Sequence, residues 1–306
     1  MKAVIVTGGN GFLGKHLITV LLDKGYYVYN IVRHQKNIWE DKPNYQELVC
    51  VSTDDLPGCC SKIKQPVQCI YHFAWSGVKN GEKRRDVDIQ LQNIKLAIKI
   101  VDLAEKVKAE RLIYAGTIME YECLNNLTQD NGEYGSRNGL YASAKLSAHF
   151  MMSVYAKSKD IYFIPIIFAN VYGTGRNASS FMNDLIRKMH SESSIDLTYG
   201  KQLQDYIYVS DAIEMTLYVT NYGQAFQQYY IGNREQYPLK EYIQRAASCV
   251  GYTGKLNFGA VPYHDLPLKF TELDTGIFYE TFSYRPKVSF EEGIRKLYQE
   301  VMEETA

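Results

Sequence analysis

Residues 4–14 read V-I-V-T-G-G-N-G-F-L-G, and this stretch decides the fold. An apolar strand runs to Val6, glycines stand at Gly8, Gly11 and Gly14, and a helical pattern follows from His16 to Leu22. In a strand–turn–helix of this kind each glycine has its own task. One permits the tight reversal, one lets a pyrophosphate approach bare backbone, and one lets helix and strand pack closely. The helix start then offers unpaired N–H groups and a positive dipole end to the anion. A glycine triplet alone is often an ordinary turn; between a strand and a helix it points to a dinucleotide site.

Outward from that turn, short apolar runs alternate with helical stretches. Strands are expected at Ala3–Val6, Tyr27–Val32, Leu48–Ser52, Cys69–Phe73, Arg111–Ala115 and Tyr162–Phe168. The clearest helix is Asp88–Val107, with Ile89, Ile94, Leu96, Ile98, Val101 and Leu103 as its apolar face. Such alternation implies parallel pairing through right-handed crossovers, hence an α/β fold with a doubly wound Rossmann sheet. We expect a nucleotide-binding domain over residues 1–168, with returning segments near 205–235, and a smaller substrate-binding portion over 169–306.

Bulk properties narrow the function. Thirty-four Lys and Arg balance thirty-four Asp and Glu, so no global field recruits nucleic acid or an anionic membrane. The apolar run Ile161–Ala169 is far too short to span a bilayer. Six cysteines show neither a disulfide framework nor a zinc spacing, so no metal is expected. With no cleavable leader pattern at Met1, a cytoplasmic protein is expected.

A candidate for chemistry is Tyr141-Ala-Ser-Ala-Lys145, whose spacing of four puts both side chains on one helical face. A nearby ammonium favours the phenolate; bringing a tyrosine from about 10 to neutrality means roughly three units, or about 4 kcal/mol. Such a phenol exchanges a proton at an alcohol or carbonyl oxygen while hydride moves at the attached carbon. A second Y-x-x-x-K, Tyr155 to Lys159, sits at the far end of the same helix and reads as packing or surface. Tyr141 is preferred because it begins its helix and follows a strand whose carboxyl end carries Thr117.

Together these features resemble the extended short-chain dehydrogenase/reductase family, the NAD-dependent epimerase/dehydratase group that acts on nucleotide sugars. T-G-G-N-G-F-L-G resembles the T-G-x-x-G-x-x-G turn, Y-H-F-A-W (71–75) the H-x-A-A segment, A-G-T-I-M-E-Y (115–121) the S-S-x-x-V-Y-G strand end, and F-A-N-V-Y-G (168–173) the N-x-Y-G loop. Y-I-Y-V-S-D-A (206–212) and Y-R-P-K-V-S-F-E-E-G-I (284–294) resemble segments of the substrate domain. The resemblance implies Thr117, Tyr141 and Lys145 as the catalytic set. It implies a cofactor site drawn from Gly8, Gly11, Phe12, Leu13, Gly14, Asp54, Asp55, Phe73, Ala74 and Asn93, together with Tyr141 and Lys145, with Asn93 at the place of a helix asparagine that helps hold the active-site geometry. Arg33 joins this set from its own chemistry. Trp75, Thr117, Asn170 and Gln204 fall at substrate positions. It further implies a homodimer built on the helices Asp88–Val107 and Tyr141–Lys157.

Three departures refine this reading. The acidic residue that holds the adenosine ribose in NAD-preferring relatives is Val32 here, followed by Arg33, with His34 and Lys36 behind. A guanidinium suits a 2′-phosphate, so NADP(H) is favoured, NAD(H) remaining possible. Ile118 and Met119 follow Thr117 where dehydratases carry Asp-Glu, so dehydration is not expected; Glu120 is expected, by strand alternation, to point elsewhere. The arginine of the R-D-F/Y segment is Gln204, and the arginine often preceding N-x-Y-G is Ile167; Arg176, Arg187, Lys201 and Arg285 are candidate replacements. Trp75 and Tyr172 are candidates to stack on a sugar or base. The expected activity is reduction of a 4-keto-6-deoxy sugar nucleotide by NADPH, the alternative an epimerase with tightly bound NAD.

Overall fold

The structure, a computed structural model, describes residues 2–78, 81–126, 138–175, 180–263 and 268–305. Arg176 lies outside the described residues. The amino-terminal half runs β1 (Ala3–Thr7), α1 (Phe12–Asp23), β2 (Tyr27–Val32), β3 (Tyr45–Val49), α2 (Leu56–Lys62), β4 (Val67–His72), α3 (Gly81–Arg84), α4 (Val87–Lys106), β5 (Arg111–Thr117), α5 (Met119–Asn126), α6 (Gly139–Ser158) and β6 (Phe163–Phe168). The remainder runs β7 (Asn170–Tyr172), α7 (Phe181–Ser191), β8 (Ser194–Leu197), β9 (Leu203–Gln204), β10 (Tyr206–Tyr208), α8 (Val209–Tyr222), β11 (Tyr229–Ile231), β12 (Tyr237–Pro238), α9 (Leu239–Val250), β13 (Lys255–Phe258), α10 (Ile277–Thr281) and α11 (Phe290–Thr305).

Seven strands form one sheet in the order β11-β6-β5-β4-β1-β2-β3, and every pairing in it is parallel. The order reverses at β1, between β2 and β4, so the crevice at the carboxyl ends of β1 and β4 is the switch point where such sheets bind ligands. Strand alternation feeds two cores. Val4, Val6 and Ile113 face one cluster that continues through α8, α9 and α11 to Val301, whereas Ala3, Ile5 and Leu112 face a second beneath α4 and α6. The carboxyl-terminal elements therefore share a core with one face of the sheet.

Three sequence expectations shift. β3 lies at Tyr45–Val49 rather than Leu48–Ser52. As the edge strand it pairs, among the described residues, only with β2 and tolerates the polar Gln46 and Glu47, while the apolar run past Val49 bends into a turn capped by Ser52. α1 starts at Phe12, four residues before the apolar pattern, because Gly11 is already its N-cap. On α4 the buried face is Gln90, Asn93, Ala97, Ile100, Val101, Leu103 and Ala104, with Ile89, Ile94, Leu96 and Ile98 only half-buried. Small and polar residues face inward there because they brace the loop after β4.

Candidate active site

The turn after β1 is built to leave backbone bare. Gly8 sits at φ +76°, in the left-handed region, and a Cβ there would lie 2.6 Å from the Ala74 amide nitrogen. The loops that follow β1 and β4 thus close on one another. A Cβ on Gly14 would lie 2.3 Å from the Gly8 carbonyl oxygen, so α1 reaches β1 only with glycine at that point. Gly11 donates to the Gly8 carbonyl at 2.9 Å, and no side chain caps the helix start that Phe12 and Leu13 open. Bare amides, a positive helix end and a cradle that any Cβ would fill are what a dinucleotide pyrophosphate requires, so these residues fit one. The sequence reading overlooked Gly9, where a Cβ would meet Asn30 Oδ1 at 2.2 Å. Asn30, fully buried in β2, donates to Tyr45 Oη and Asn10 Oδ1 and so fixes this turn to the neighbouring strands.

At the end of β2, Val32 is buried and Arg33 is exposed, and among the described residues Arg33 has no ion-pair partner. Beyond β3 the two candidate aspartates separate. Asp55 accepts from the Ser52 amide at 2.8 Å in a capping box, whereas Asp54 contributes only its own N–H to Ser52 Oγ and keeps its exposed carboxylate for another partner.

The loop after β4 carries Phe73, Ala74 and Trp75, and α4 holds it by a two-way bond. Ser76 N–H donates to Asn93 Oδ1 at 2.8 Å, and Asn93 Nδ2 donates to the Ser76 carbonyl at 3.0 Å. Asn93, expected at the cofactor, thereby spends its amide on backbone. Trp75 Nε1 donates to Gln90 Oε1 at 3.0 Å, so the indole is fixed at the mouth of the crevice.

Thr117 ends β5, and Tyr141 and Lys145 lie one turn apart on the inner face of α6. The Tyr141 ring meets Trp75 edge-on at 6.3 Å, with the Arg84 guanidinium 5.3 Å from its centroid. Lys145 Nζ donates to the Ala115 carbonyl at 2.7 Å and lies 3.9 Å from the Trp75 centroid. Burial pulls its pKa down to about 7, opposed by the charge of Glu120. Its ammonium is therefore far easier to discharge than an ordinary lysine, a burial penalty the sequence reading left out. Beneath it, His72 meets Thr7 Oγ1 at 2.8 Å, and burial, with Lys145 alongside, holds its pKa near 3, so it is a neutral neighbour.

Glu120 needs correction. The chain leaves β5 at Thr117, so strand alternation does not govern residue 120; it sits in the first turn of α5. Its carboxylate, 1% exposed, folds back to accept the Thr117 N–H at 3.0 Å and to meet His149 Nδ1 at 2.8 Å. Gly116 makes the room, since a Cβ there would lie 2.6 Å from Glu120 Oε1. His149 continues the four-residue spacing from Tyr141 through Lys145, and that stripe was the signal available in sequence. Tyr155 of the second Y-x-x-x-K donates to Asp102 Oδ1 at 2.7 Å and packs α6 on α4.

On the substrate side Asn170 Nδ2 donates to Gln204 Oε1 at 2.6 Å, so two expected substrate residues meet. Tyr172 does not stack in the cleft. It is 2% exposed, wedged against Tyr206, Tyr208 and Phe290, and its hydroxyl donates to the Phe290 carbonyl. Of the replacement cations, Arg187 pairs with Glu304 and Arg285 spends its donors on the carbonyls of Tyr279, Phe282 and Tyr284. Lys201 is exposed beside Tyr199. Among the described residues no cluster of His, Cys, Asp and Glu could hold a metal ion, and no helix is long and apolar enough to cross a membrane.

A parallel sheet ordered about a switch point, a glycine cradle on its first turn and a Thr–Tyr–Lys set beside it define a Rossmann-fold enzyme of the extended short-chain dehydrogenase/reductase class. The profile of the NAD dependent epimerase/dehydratase family matches residues 4–232, and the chain belongs to that family. CDP-abequose synthase of Salmonella muenchen is 23% identical over 97% of both chains, and human dTDP-D-glucose 4,6-dehydratase 24% identical over 96% of this chain and 88% of its own. Among solved structures, UDP-glucose 4-epimerase of Thermotoga maritima with UDP-glucose superposes with TM-score 0.82 at 18% identity over both full chains. The dTDP-glucose 4,6-dehydratase of Bacillus anthracis in complex with NAD gives 0.80 at 20%, covering 99% of this chain and 97% of that one.

Proposed function

We propose that the protein is an NADP(H)-dependent reductase of a 4-keto-6-deoxy sugar nucleotide, with Thr117, Tyr141 and Lys145 as its working residues. The observation that carries the cofactor choice is at β2: a buried valine where an acid would repel a 2′-phosphate, and after it an exposed arginine without a carboxylate partner among the described residues. A guanidinium offers paired donors to phosphate oxygens, which a diol cannot match. The substrate class is supported by the family and by the sugar-nucleotide names of its relatives.

A dinucleotide whose pyrophosphate is held by the Gly8–Gly14 turn would supply, from its nicotinamide, the hydride for the carbonyl carbon of the substrate. Thr117 Oγ1 donates to the carbonyl oxygen and holds it before Tyr141. The Tyr141 hydroxyl gives that oxygen its proton, so ketone, hydride and proton become an alcohol, and the phenolate is reprotonated from solvent. The Lys145 ammonium, when charged, steadies that phenolate. Ile118 and Met119 offer no carboxylate to remove a ring proton, which leaves elimination without its base.

The test is to mix pure protein with NADPH or NADH and 4-keto sugar nucleotides and follow nicotinamide absorbance. NADPH oxidation faster than NADH oxidation supports the reading, and no oxidation with any substrate defeats it. Stoichiometric NAD released from denatured protein would instead favour the epimerase. We further propose a homodimer through α4 and α6, whose outer faces expose Val87, Leu91, Phe150, Met151 and Val154.

A further inference from the structure

We propose that Arg234 is the cation that receives the substrate's diphosphate, in place of the arginine that Gln204 replaces; this rests on the sugar-nucleotide reading above. Arg234 lies in the loop between β11 and β12. β11 is a parallel strand of the main sheet, beside β6, so its carboxyl end and the residues that follow open on the ligand side, as does Asn170, which opens β7 just beyond β6. β12 then pairs with β9, with Tyr237 opposite Gln204, and returns the loop to the residue that has lost its charge.

The loop is anchored through Asp205. That carboxylate, fully buried, accepts from the Asn233 N–H at 3.0 Å, the Arg234 N–H at 2.9 Å and the Tyr230 hydroxyl at 2.6 Å. The Asp205 carbonyl in turn accepts from the Asn170 N–H at 3.0 Å. Arg234 is therefore two hydrogen-bonded steps from the Asn170–Gln204 pair. Its backbone sits at φ +63°, a conformation that disfavours every residue with a Cβ and favours glycine.

The side chain is placed but not consumed. The guanidinium carbon lies 5.3 Å from the centroid of Tyr279, whose hydroxyl donates to the Gly232 carbonyl at 2.5 Å, so the ring is fixed to the same loop. Arg285 lies 4.9 Å from that ring, yet its donors go to three backbone carbonyls. Arg234 is exposed, and among the described residues it has neither an ion pair nor a side-chain hydrogen bond. A guanidinium oriented on an aromatic face with all its donors open is suited to phosphate oxygens.

The test uses the whole protein and a panel of nucleoside diphosphates (CDP, UDP, dTDP, GDP), each beside its nucleoside, by titration calorimetry and thermal shift at low and high salt. Arg234→Gly relieves the left-handed backbone, so its melting temperature is expected to be no lower than wild type. Its affinity for the preferred diphosphate should fall about 10- to 100-fold, as loss of a charged hydrogen bond does, with nucleoside affinity unchanged. Arg234→Lys should restore part of the loss. Unchanged diphosphate affinity in Arg234→Gly overturns this inference alone. A variant that loses melting temperature along with affinity assigns Arg234 to packing and also overturns it. A wild type that binds no diphosphate overturns the sugar-nucleotide reading, and this inference with it.

Discussion

Lys145 and Glu120 show how a single buried charge sets what its neighbours do. Burial lowers the Lys145 pKa to about 7, against about 10.4 for a free lysine. Between those values the unfolded chain binds the proton and the folded chain does not, so this group adds stability as pH rises from about 7 to about 10. Comparing wild type with Lys145→Met by denaturant melts should therefore show the difference moving in favour of wild type across that range. A flat difference would mean that the ammonium stays charged when folded. Glu120 acts on the neighbouring strand end, through the Thr117 amide and His149. Glu120→Ala leaves both without their acceptor, and we expect a loss of about 2–4 kcal/mol, whereas Glu120→Gln keeps the amide bond and should lose less. Chemical denaturation of the two variants decides it; equal losses would show that the Thr117 bond contributes nothing.

At the scale of elements, the glycine turn is where local geometry and the fold depend on each other. Gly8→Ala has to place a Cβ 2.6 Å from the Ala74 amide at φ +76°, so strain and collision combine, and about 2–4 kcal/mol of destabilisation is expected. Because the displaced loop also carries the cradle, NADPH should raise the melting temperature of wild type but not of this variant; an equal rise in both would remove the turn from the cofactor site. This element was legible because its glycines answer to local rules: a strand, a reversal and a helix start written within eleven residues. So were the strands from β4 to β6, whose two buried faces make them continuous apolar runs. β3 was misplaced because an edge strand needs no such run, and L-V-C-V-S imitated one. The buried face of α4 was misread because Gln90 and Asn93 turn inward to hold Trp75 and Ser76, a demand made by the loop after β4. Glu120 with His149, and Asp205 with Arg234, are 29 residues apart in chain and in each case join separate elements, so no spacing rule reaches either pairing, although the Tyr141–Lys145–His149 stripe marked one of the four residues.

For the molecule as a whole, the unresolved balance is on the outer surface of α4 and α6. Their inner faces pack on the sheet and on each other, yet Val154 is 72% exposed, Phe150 58%, Leu91 57% and Val87 53%. Val87 and Leu91 are one turn apart on α4, as are Phe150 and Val154 on α6, so each helix presents an apolar pair to solvent. Single exposed apolar residues are ordinary, but apolar pairs on two helices packed together favour a second copy that presents the same residues by two-fold symmetry. Light scattering at micromolar concentration should then give twice the chain mass of 35.1 kDa. Leu91→Glu with Val154→Glu places a carboxylate on each helix, where a symmetric interface would bury it opposite like charge, and the mass should fall to one chain. Since α6 carries Tyr141 and Lys145 on its opposite face, a true dimer should also lose catalytic efficiency when split, while the helices themselves, unpaired at these positions within one chain, keep their melting temperature in the monomer range. A wild type that already scatters as one chain would leave this surface without a partner of its own kind, with α6 held by the sheet, α4 and α5 of its own chain.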